Sequence, residues 1–394
     1  ITIYEWKKSL LFVNVVLYTR IKKGVMNEKM NLNNVSKRLY KWDNLKALLI
    51  FLVVVGHLID RANQKSDLLM KINYWIYMFH MPAFIFVSGL FSKNTIRNKD
   101  FRKSFRYLKW FFILKIIFLI STFLSSGSLS FSFLTESGLP WYCFAIFAFQ
   151  LISMVIDGYD KYWVLGIAVV IGCLAGYDAN LGDFLCSSRI LTFFPFFYAG
   201  YLIEYQKMSN YLNNFKIKLC ALFLLSGSFF VVYFKLYGTS LTMGFLTGRN
   251  AYANVSELVG LYGGFFRFIY YIAVFLIISS LVALISNKRL FITSFGELSL
   301  IIYMLHIPIV RIVNDKLHLD LFIKSFGVPQ SITILIVTIC IFFLCRMEWV
   351  HKPLNKILYF NVPEKTDNSV KGNGYFKSFF YDRTLTILDS KNEE

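Results

Sequence analysis

The chain has 394 residues, 56% hydrophobic and 16% charged, and a soluble fold of this size cannot hide that much apolar surface. The composition excludes disorder, which needs low hydrophobicity, and six cysteines in 394 residues exclude a disulfide-stapled secreted module. The net charge of +19 leaves two sources, a nucleic-acid partner or the basic inner loops of a polytopic membrane protein.

Residues 1–37 read as a lead. It begins with Ile1, its first methionines are Met26 and Met30, and its apolar run Leu10–Tyr18 is too short to cross a bilayer. No small-residue cleavage site follows that run. The lead is expected to be either translated upstream sequence or a short amphipathic segment. The membrane domain is expected over 38–346, with spans at about 44–61, 72–92, 109–127, 138–156, 162–178, 189–205, 217–237, 258–285, 291–313 and 328–345. Pro82 and Pro195 fall inside two of them, where neighbouring helices can satisfy the freed backbone groups.

Charge fixes the expected orientation. Lys93, Arg97, Lys99, Arg102, Lys103, Arg106 and Lys109 put seven cations into seventeen residues between spans two and three, so that connection is expected inside. Lys37, Arg38, Lys41 and Lys46 then place the start of span one inside as well. The connections holding Lys161, then Lys207, Lys216 and Lys218, then Lys288 and Arg289 follow the same parity, whereas 125–138 and 178–188 carry no Lys or Arg. Lys65, Arg249 and Lys316 are scattered cations on the outer side. The expected architecture is all-α and polytopic, with about ten transmembrane helices and both termini cytoplasmic. Residues 347–394 form a polar, loosely ordered tail in this reading. Membrane orientation accounts for the basic residues, and no nucleic-acid partner is expected.

The cysteines suggest no metal site. Cys143, Cys173, Cys220, Cys340 and Cys345 lie in apolar segments, and Cys186 lies near an outer face.

Ionisable side chains inside a span are costly, so each is a functional candidate. Span one reads WDNLKALLIFLVVVGHLID. Lys46 and His57 are eleven positions apart, about three helical turns and roughly 16 Å, and so share a face. Asp43 falls within about 40° of it. A polar stripe therefore runs from the inner surface to an imidazole. Span two places His80 beside Pro82, where the antiparallel return can bring it towards His57. Each histidine has a plainer reading as a helix-to-helix hydrogen bond.

Arg189 opens span six, where snorkelling is the alternative. Arg267 lies deep in span eight and is expected to face a cavity or a carboxylate. Glu297 and His306 share span nine. Lys115 and Lys235 read as snorkelling residues at span ends. Trp141 and Tyr142, after Pro140, read either as an interface belt or as part of a site. His57, Arg189, Arg267, His306 and Arg311 all fall in the outer half, which points to an acceptor reached from outside. A buried imidazole suits proton removal from a hydroxyl. The inner cations suit the phosphates of an acyl-CoA, and oriented donors in a low dielectric stabilise an acyl-transfer oxyanion.

Four blocks carry a resemblance over about residues 38–346: YKWDNLKALLIFLVVVGH, YMFHMPAFIFVSGLFSK, the pair GLPWYCFAIFAFQL and RILTFFPFFYAGYLI, and FGELSLIIYMLHIPI. The chain resembles the acyltransferase-three family of integral membrane acyltransferases, most closely its fucose 4-O-acetylase-like branch. The resemblance implies ten core spans and a signature of a basic residue, ten residues and an essential histidine, matched here by Lys46 and His57. Many members have Arg at the basic position, and Lys supplies a point charge instead of a planar fork. His80 and Arg189 also sit at family motif positions.

The expected activity is transfer of an acetyl group from acetyl-CoA to a sugar hydroxyl of a surface or capsular polysaccharide or its lipid-linked precursor. In that reading His57 is the general base with His80 as partner, Lys46 and Asp43 organise the donor entrance, and Arg189, His306, Arg267, Trp141 and Tyr142 line the acceptor side. No metal is expected, and Ser88 is a possible acyl carrier. The expected partners are the acyl-CoA, a saccharide or lipid-linked glycan acceptor and the lipid bilayer, in the plasma membrane of a bacterium. The alternative is a transporter or flippase of lipid-linked saccharides, which also uses many spans and midplane ionisable groups.

Overall fold

The structure, a computed structural model, describes residues 40–62, 66–127, 132, 135, 138–317, 327 and 329–359. No β-strand occurs among them, only two isolated bridges, and helices account for most of the described residues. In chain order the α-helices are α1 (Tyr40–Arg61), α2 (Asp67–Phe91), α3 (Lys93–Arg97), α4 (Phe101–Ser126), α5 (Trp141–Ile156), α6 (Lys161–Leu174), α7 (Ser187–Leu202), α8 (Tyr205–Tyr211), α9 (Phe215–Val231), α10 (Met243–Leu246), α11 (Glu257–Leu284), α12 (Thr293–Glu297), α13 (Ser299–Leu317), α14 (Gln330–Arg346) and α15 (Glu348–Tyr359).

Local chemistry explains where many of them begin. Ser66 accepts from Leu69 N, Asp100 from Lys103 N, Asn214 from Lys216 N and Ser256 from Val259 N, each a side-chain oxygen on an otherwise orphaned helix-start amide. Gly127 closes α4 in the left-handed region at φ 70° and donates its N–H to Phe123 O.

The protein is a helical multi-pass membrane protein. Each expected span contains a helix, but only five among the described residues are long and apolar enough to cross alone: α1, α2, α4, α11, and α9 with its π-helical extension to Leu236. The pair α14 and α15 makes a sixth if taken as one span, although it bends by 64°. Helices α5, α6 and α7 run 16, 14 and 16 residues, roughly 21–24 Å at the helical rise and short of a hydrocarbon core of about 30 Å.

Helix α1 is the centre. It is buried along most of its length, polar at its two ends and apolar between them, with α2, α12, α13 and α14 around it. Helices α4 and α9 are peripheral and turn most of their apolar surface outward, as lipid-facing helices do. The closest seam joins α2 to α7. A Cβ on Gly89 would lie 1.9 Å from Phe197 O, and one on Gly200 would lie 2.1 Å from Phe86 O. Two glycines on opposite helices therefore let the backbones touch, the means by which spans associate where lipid supplies no hydrophobic drive.

The N-terminal end of α1 is fastened separately. Asn44 donates to Ser286 O at 3.0 Å and Lys288 O at 2.9 Å, and accepts from Thr293 Oγ1 at 2.6 Å. Gly296 comes so close that a Cβ there would lie 1.8 Å from Asp43 O.

The start of the expected polar tail is helical. Val350, Leu354 and Leu358 follow i, i+4, i+8 spacing along α15. Leu358 is fully buried, Trp110 Nε1 donates to Leu358 O at 3.3 Å, and Lys109 Nζ donates to Ile357 O at 3.0 Å. The lead 1–37 and the tail beyond Tyr359 lie outside the described residues.

Gly89→Leu should force α2 from α7 and cost about 1–3 kcal/mol or more by overpacking. Thermal unfolding in detergent checks this: a lowered midpoint is expected, and an unchanged one contradicts the glycine seam.

Candidate active site

Gly56 sets the first contact of the site. Without a side chain on α1 at that position, α2 approaches until a Cβ would sit 3.2 Å from Asn73 Oδ1 and 3.3 Å from Tyr77 Cε2. Tyr77 then reaches the next residue of α1, with its hydroxyl 3.3 Å from His57 Nδ1. The same hydroxyl donates to Asp60 Oδ2, one turn beyond His57. Asn73 Nδ2 donates to the other oxygen, Asp60 Oδ1, at 2.6 Å. His57 Nδ1 and Asp60 Oδ2 are 3.9 Å apart, so Tyr77 bridges them.

Helix α13 adds a further imidazole. His306 lies with its ring centroid 5.4 Å from that of His57, the two planes tilted by 34°. His80, one turn along α2 from Tyr77, meets the Tyr77 ring at 4.9 Å. The antiparallel return of α2 thus couples His80 to His57 through Tyr77, and His306 is the histidine in direct ring contact with His57.

Chemistry fixes two of the three tautomers. His80 Nδ1 lies 2.7 Å from Ile76 O. His306 Nδ1 lies 3.0 Å from Ile302 O and 2.9 Å from Tyr303 O. A carbonyl oxygen only accepts, so each Nδ1 carries a proton, and in the neutral ring Nε2 holds the lone pair. His306 Nε2 is buried without a hydrogen-bond partner among the described residues. Access separates the three rings: the His57 side chain is 25% exposed, whereas His80 is 3% and His306 0% exposed as residues. Of the three, His57 is the imidazole with substantial exposed surface.

Aromatic residues extend the cluster towards α5. The Tyr303 ring lies tilted by 42° at 6.3 Å from that of His306, and its hydroxyl donates to Leu139 O. Tyr142 packs edge-on against Tyr303 at 5.5 Å and its hydroxyl shares a 2.7 Å hydrogen bond with Ser88 Oγ. Tyr142 thus joins the aromatic cluster that includes Tyr303. Trp141 faces another way, tilted over Phe193 at 5.7 Å, with the Arg189 guanidinium 5.0 Å from its ring. Arg189 is buried and pairs with Asp183 at 2.7 Å, where the sequence offered snorkelling as the alternative. Arg249 reaches the same carboxylate at 2.6 Å, so Asp183 ties two arginines into one cluster.

Other candidates lie apart from the imidazoles. Arg267 was expected to face a cavity or carboxylate. It stacks instead on Phe245 at 3.9 Å, lies 5.1 Å from the Tyr270 ring, and donates to Phe245 O at 2.6 Å. Lys115, expected to snorkel, is buried and donates to Thr135 O at 3.5 Å, with its ammonium 5.1 Å from the Phe111 ring. Arg311 donates to Thr122 Oγ1 at 2.6 Å. Lys46 and Asp43 form a 2.8 Å ion pair at the other end of α1, roughly 16 Å from His57 by the helical rise.

Pro82 explains one long-range bond. Lacking an N–H, it leaves Met78 O without its helical donor. Tyr270 of α11 supplies the replacement at 2.8 Å. This holds the stretch of α2 that carries Tyr77 and His80.

Asp60, Tyr77 and Asn73 were not singled out from the sequence. Two signals were present: Asp60 is three residues beyond His57, and Tyr77 is three before His80, each on the same helical face. Their meeting across helices depends on the contact at Gly56, which spacing alone does not give.

A family profile described as an acyltransferase domain matches residues 39–347. The nodulation protein NolL of Sinorhizobium fredii is 25% identical over 182 residues, which make up 41% of this chain and 47% of that protein. The nodulation protein NolL of Mesorhizobium japonicum is 26% identical over 178 residues, 41% of this chain and 46% of that protein. The chain spans about half the length of the curated relatives it matches. No solved structure matches it.

Tyr270→Phe should leave Met78 O unpaired in a dry interior, at a cost of about 1–3 kcal/mol. A fall in the thermal midpoint of the purified protein is expected, and an unchanged midpoint contradicts the role given to this bond.

Proposed function

The chain belongs to the acyltransferase-three family, and from that premise we propose that it is a membrane-embedded O-acyltransferase. It moves an acetyl group from acetyl-CoA to a sugar hydroxyl of a surface or capsular polysaccharide or its lipid-linked precursor. The observation that carries this reading is an accessible imidazole, His57, set inside an apolar bundle against a second imidazole and a bridged carboxylate.

The reaction follows from what those groups can do. A ring nitrogen of His57 takes the proton of the acceptor hydroxyl as its oxygen attacks the thioester carbonyl. The tetrahedral intermediate collapses, the C–S bond breaks, and the leaving thiolate takes the proton from the imidazolium. The new ester stays on the sugar and free CoA leaves. His80 and His306 have their Nδ1 positions engaged by carbonyls of their own helices, so in each neutral ring the lone pair is on Nε2.

Lys46, held by Asp43, stands at the end of α1 expected to be cytoplasmic and serves the phosphates of the donor. The flexible arm of the donor then spans the distance along α1 to His57. Tyr142 lines the acceptor wall, and Arg189 with Trp141 forms an outer contact for the saccharide. Arg267 supports the acceptor side through the aromatic rings it packs on. The reading includes ten spans, both ends cytoplasmic and a bacterial plasma membrane.

His57→Ala tests it. Surface-glycan acetylation should fall by roughly 10²–10⁴-fold, the range for loss of a general base, with protein abundance unchanged. Mass spectrometry of the glycan reads the outcome. Loss of acetyl groups from an intact polymer supports the transferase, and normal acetylation removes it. Loss of the whole polymer on deletion of the gene indicates export of a lipid-linked saccharide instead.

A further inference from the structure

We propose that Asp60, acting through Tyr77, is a positioning residue that holds His57 in its Nδ1–H tautomer and so leaves Nε2 as the proton-accepting nitrogen. The inference rests on the reading of His57 as the base and adds which of its atoms works and what sets that choice.

Proton counting carries the argument. A tyrosine hydroxyl has one proton to give. Tyr77 gives it to Asp60 Oδ2, because an ionised carboxylate can only accept. The Tyr77 oxygen, 3.3 Å from His57 Nδ1, is then left only as an acceptor towards the ring. Nδ1 must therefore carry the proton, and in the neutral ring the lone pair is on Nε2. Asn73 fixes the starting point of this chain. It donates to Asp60 Oδ1 at 2.6 Å, which turns Oδ2 towards Tyr77.

The device differs from that at the other two histidines. His80 and His306 take their tautomer from carbonyls of their own helices. His57 takes its tautomer from α2, across a helix interface, and Gly56 makes that interface close enough. An orienting carboxylate behind a base histidine is a known solution to the same problem, where loss of its charge gives the wrong tautomer and a large fall in rate. Here a hydroxyl stands between carboxylate and ring.

Asp60→Asn gives a sharp expectation. Asn73 still donates to the Oδ1 of residue 60, so the new amide NH₂ faces Tyr77 and donates to its oxygen. Tyr77 then turns its proton to His57 Nδ1, and the ring switches to the Nε2–H form. Adding Tyr77→Phe removes the relay, and the switch should disappear.

The test uses the full-length protein, labelled with ¹⁵N in its five histidines and purified in detergent. The His57 signals are assigned by their loss in His57→Gln. The native protein should show a protonated Nδ1 and an unprotonated Nε2 at His57. Asp60→Asn should invert that pattern, Asp60→Asn with Tyr77→Phe should not, and the His80 and His306 signals should stay fixed in all variants as a control for folding. In cells, Asp60→Asn should lower glycan acetylation on the order of 10²-fold or more. A native His57 with the proton on Nε2, or a pattern that Asp60→Asn leaves unchanged, overturns the proposal. If His57→Ala abolishes acetylation while the tautomer ignores Asp60, the base reading stands and the relay falls. If the tautomer inverts but His57→Ala acetylates normally, the base reading falls.

Discussion

A hydrocarbon interior gives no water to a stranded polar group, so a polar group in a membrane bundle gains from a partner on a neighbouring helix or its own backbone. This bundle is organised by that requirement. Asn44 ties the N-terminal end of α1 to the 286–293 segment, Tyr270 replaces the donor that Pro82 lacks, and Asp60 collects Tyr77 and Asn73 from α2. Small residues make these partnerships possible. Gly56, Gly89, Gly200 and Gly296 all stand where a Cβ would press on a neighbouring helix or its side chains. Close approach and polar satisfaction are thus one arrangement, and the site occupies the place where α1, α2 and α13 meet.

Much of this was legible in the sequence. Helical membrane architecture follows from composition, and His57, His80 and His306 stood out because ionisable groups in apolar runs are costly. The Lys46 to His57 stripe needed only helical periodicity. What periodicity could not give was the pairing across helices. Arg267 looked like a cation awaiting an anion, but its neighbours are aromatic rings from α10 and α11. Lys115 looked like a snorkelling residue because its depth along α4 said nothing about carbonyls arriving from the 132–135 segment. Asp60 sat at the end of a span, where a carboxylate is unremarked, and only the position of Tyr77 gives it a role. Helix length was the other limit. Apolar runs of span length give the expected spans, and within three of them the helices α5, α6 and α7 run 16, 14 and 16 residues.

The functional account joins two ends of one helix. In the proposed reaction the Lys46–Asp43 ion pair receives the donor, His57 is the base, and α1 fixes the distance between them. A donor with phosphates at one end and a thioester on a long flexible arm suits such a spacing. The surrounding imidazoles and tyrosines set hydrogen-bonding groups in an apolar interior, where each counts for more than in water.

The central claim is that a thioester enters along α1 and reacts beside His57. Cryo-electron microscopy of the full chain with a non-transferable thioether analogue of acetyl-CoA tests it most directly. The account predicts the acyl end of the analogue against the His57 ring and the phosphates beside Lys46. An analogue seated with its acyl end elsewhere, against the Arg267 aromatic cluster or on the lipid-facing side of α9, would contradict it.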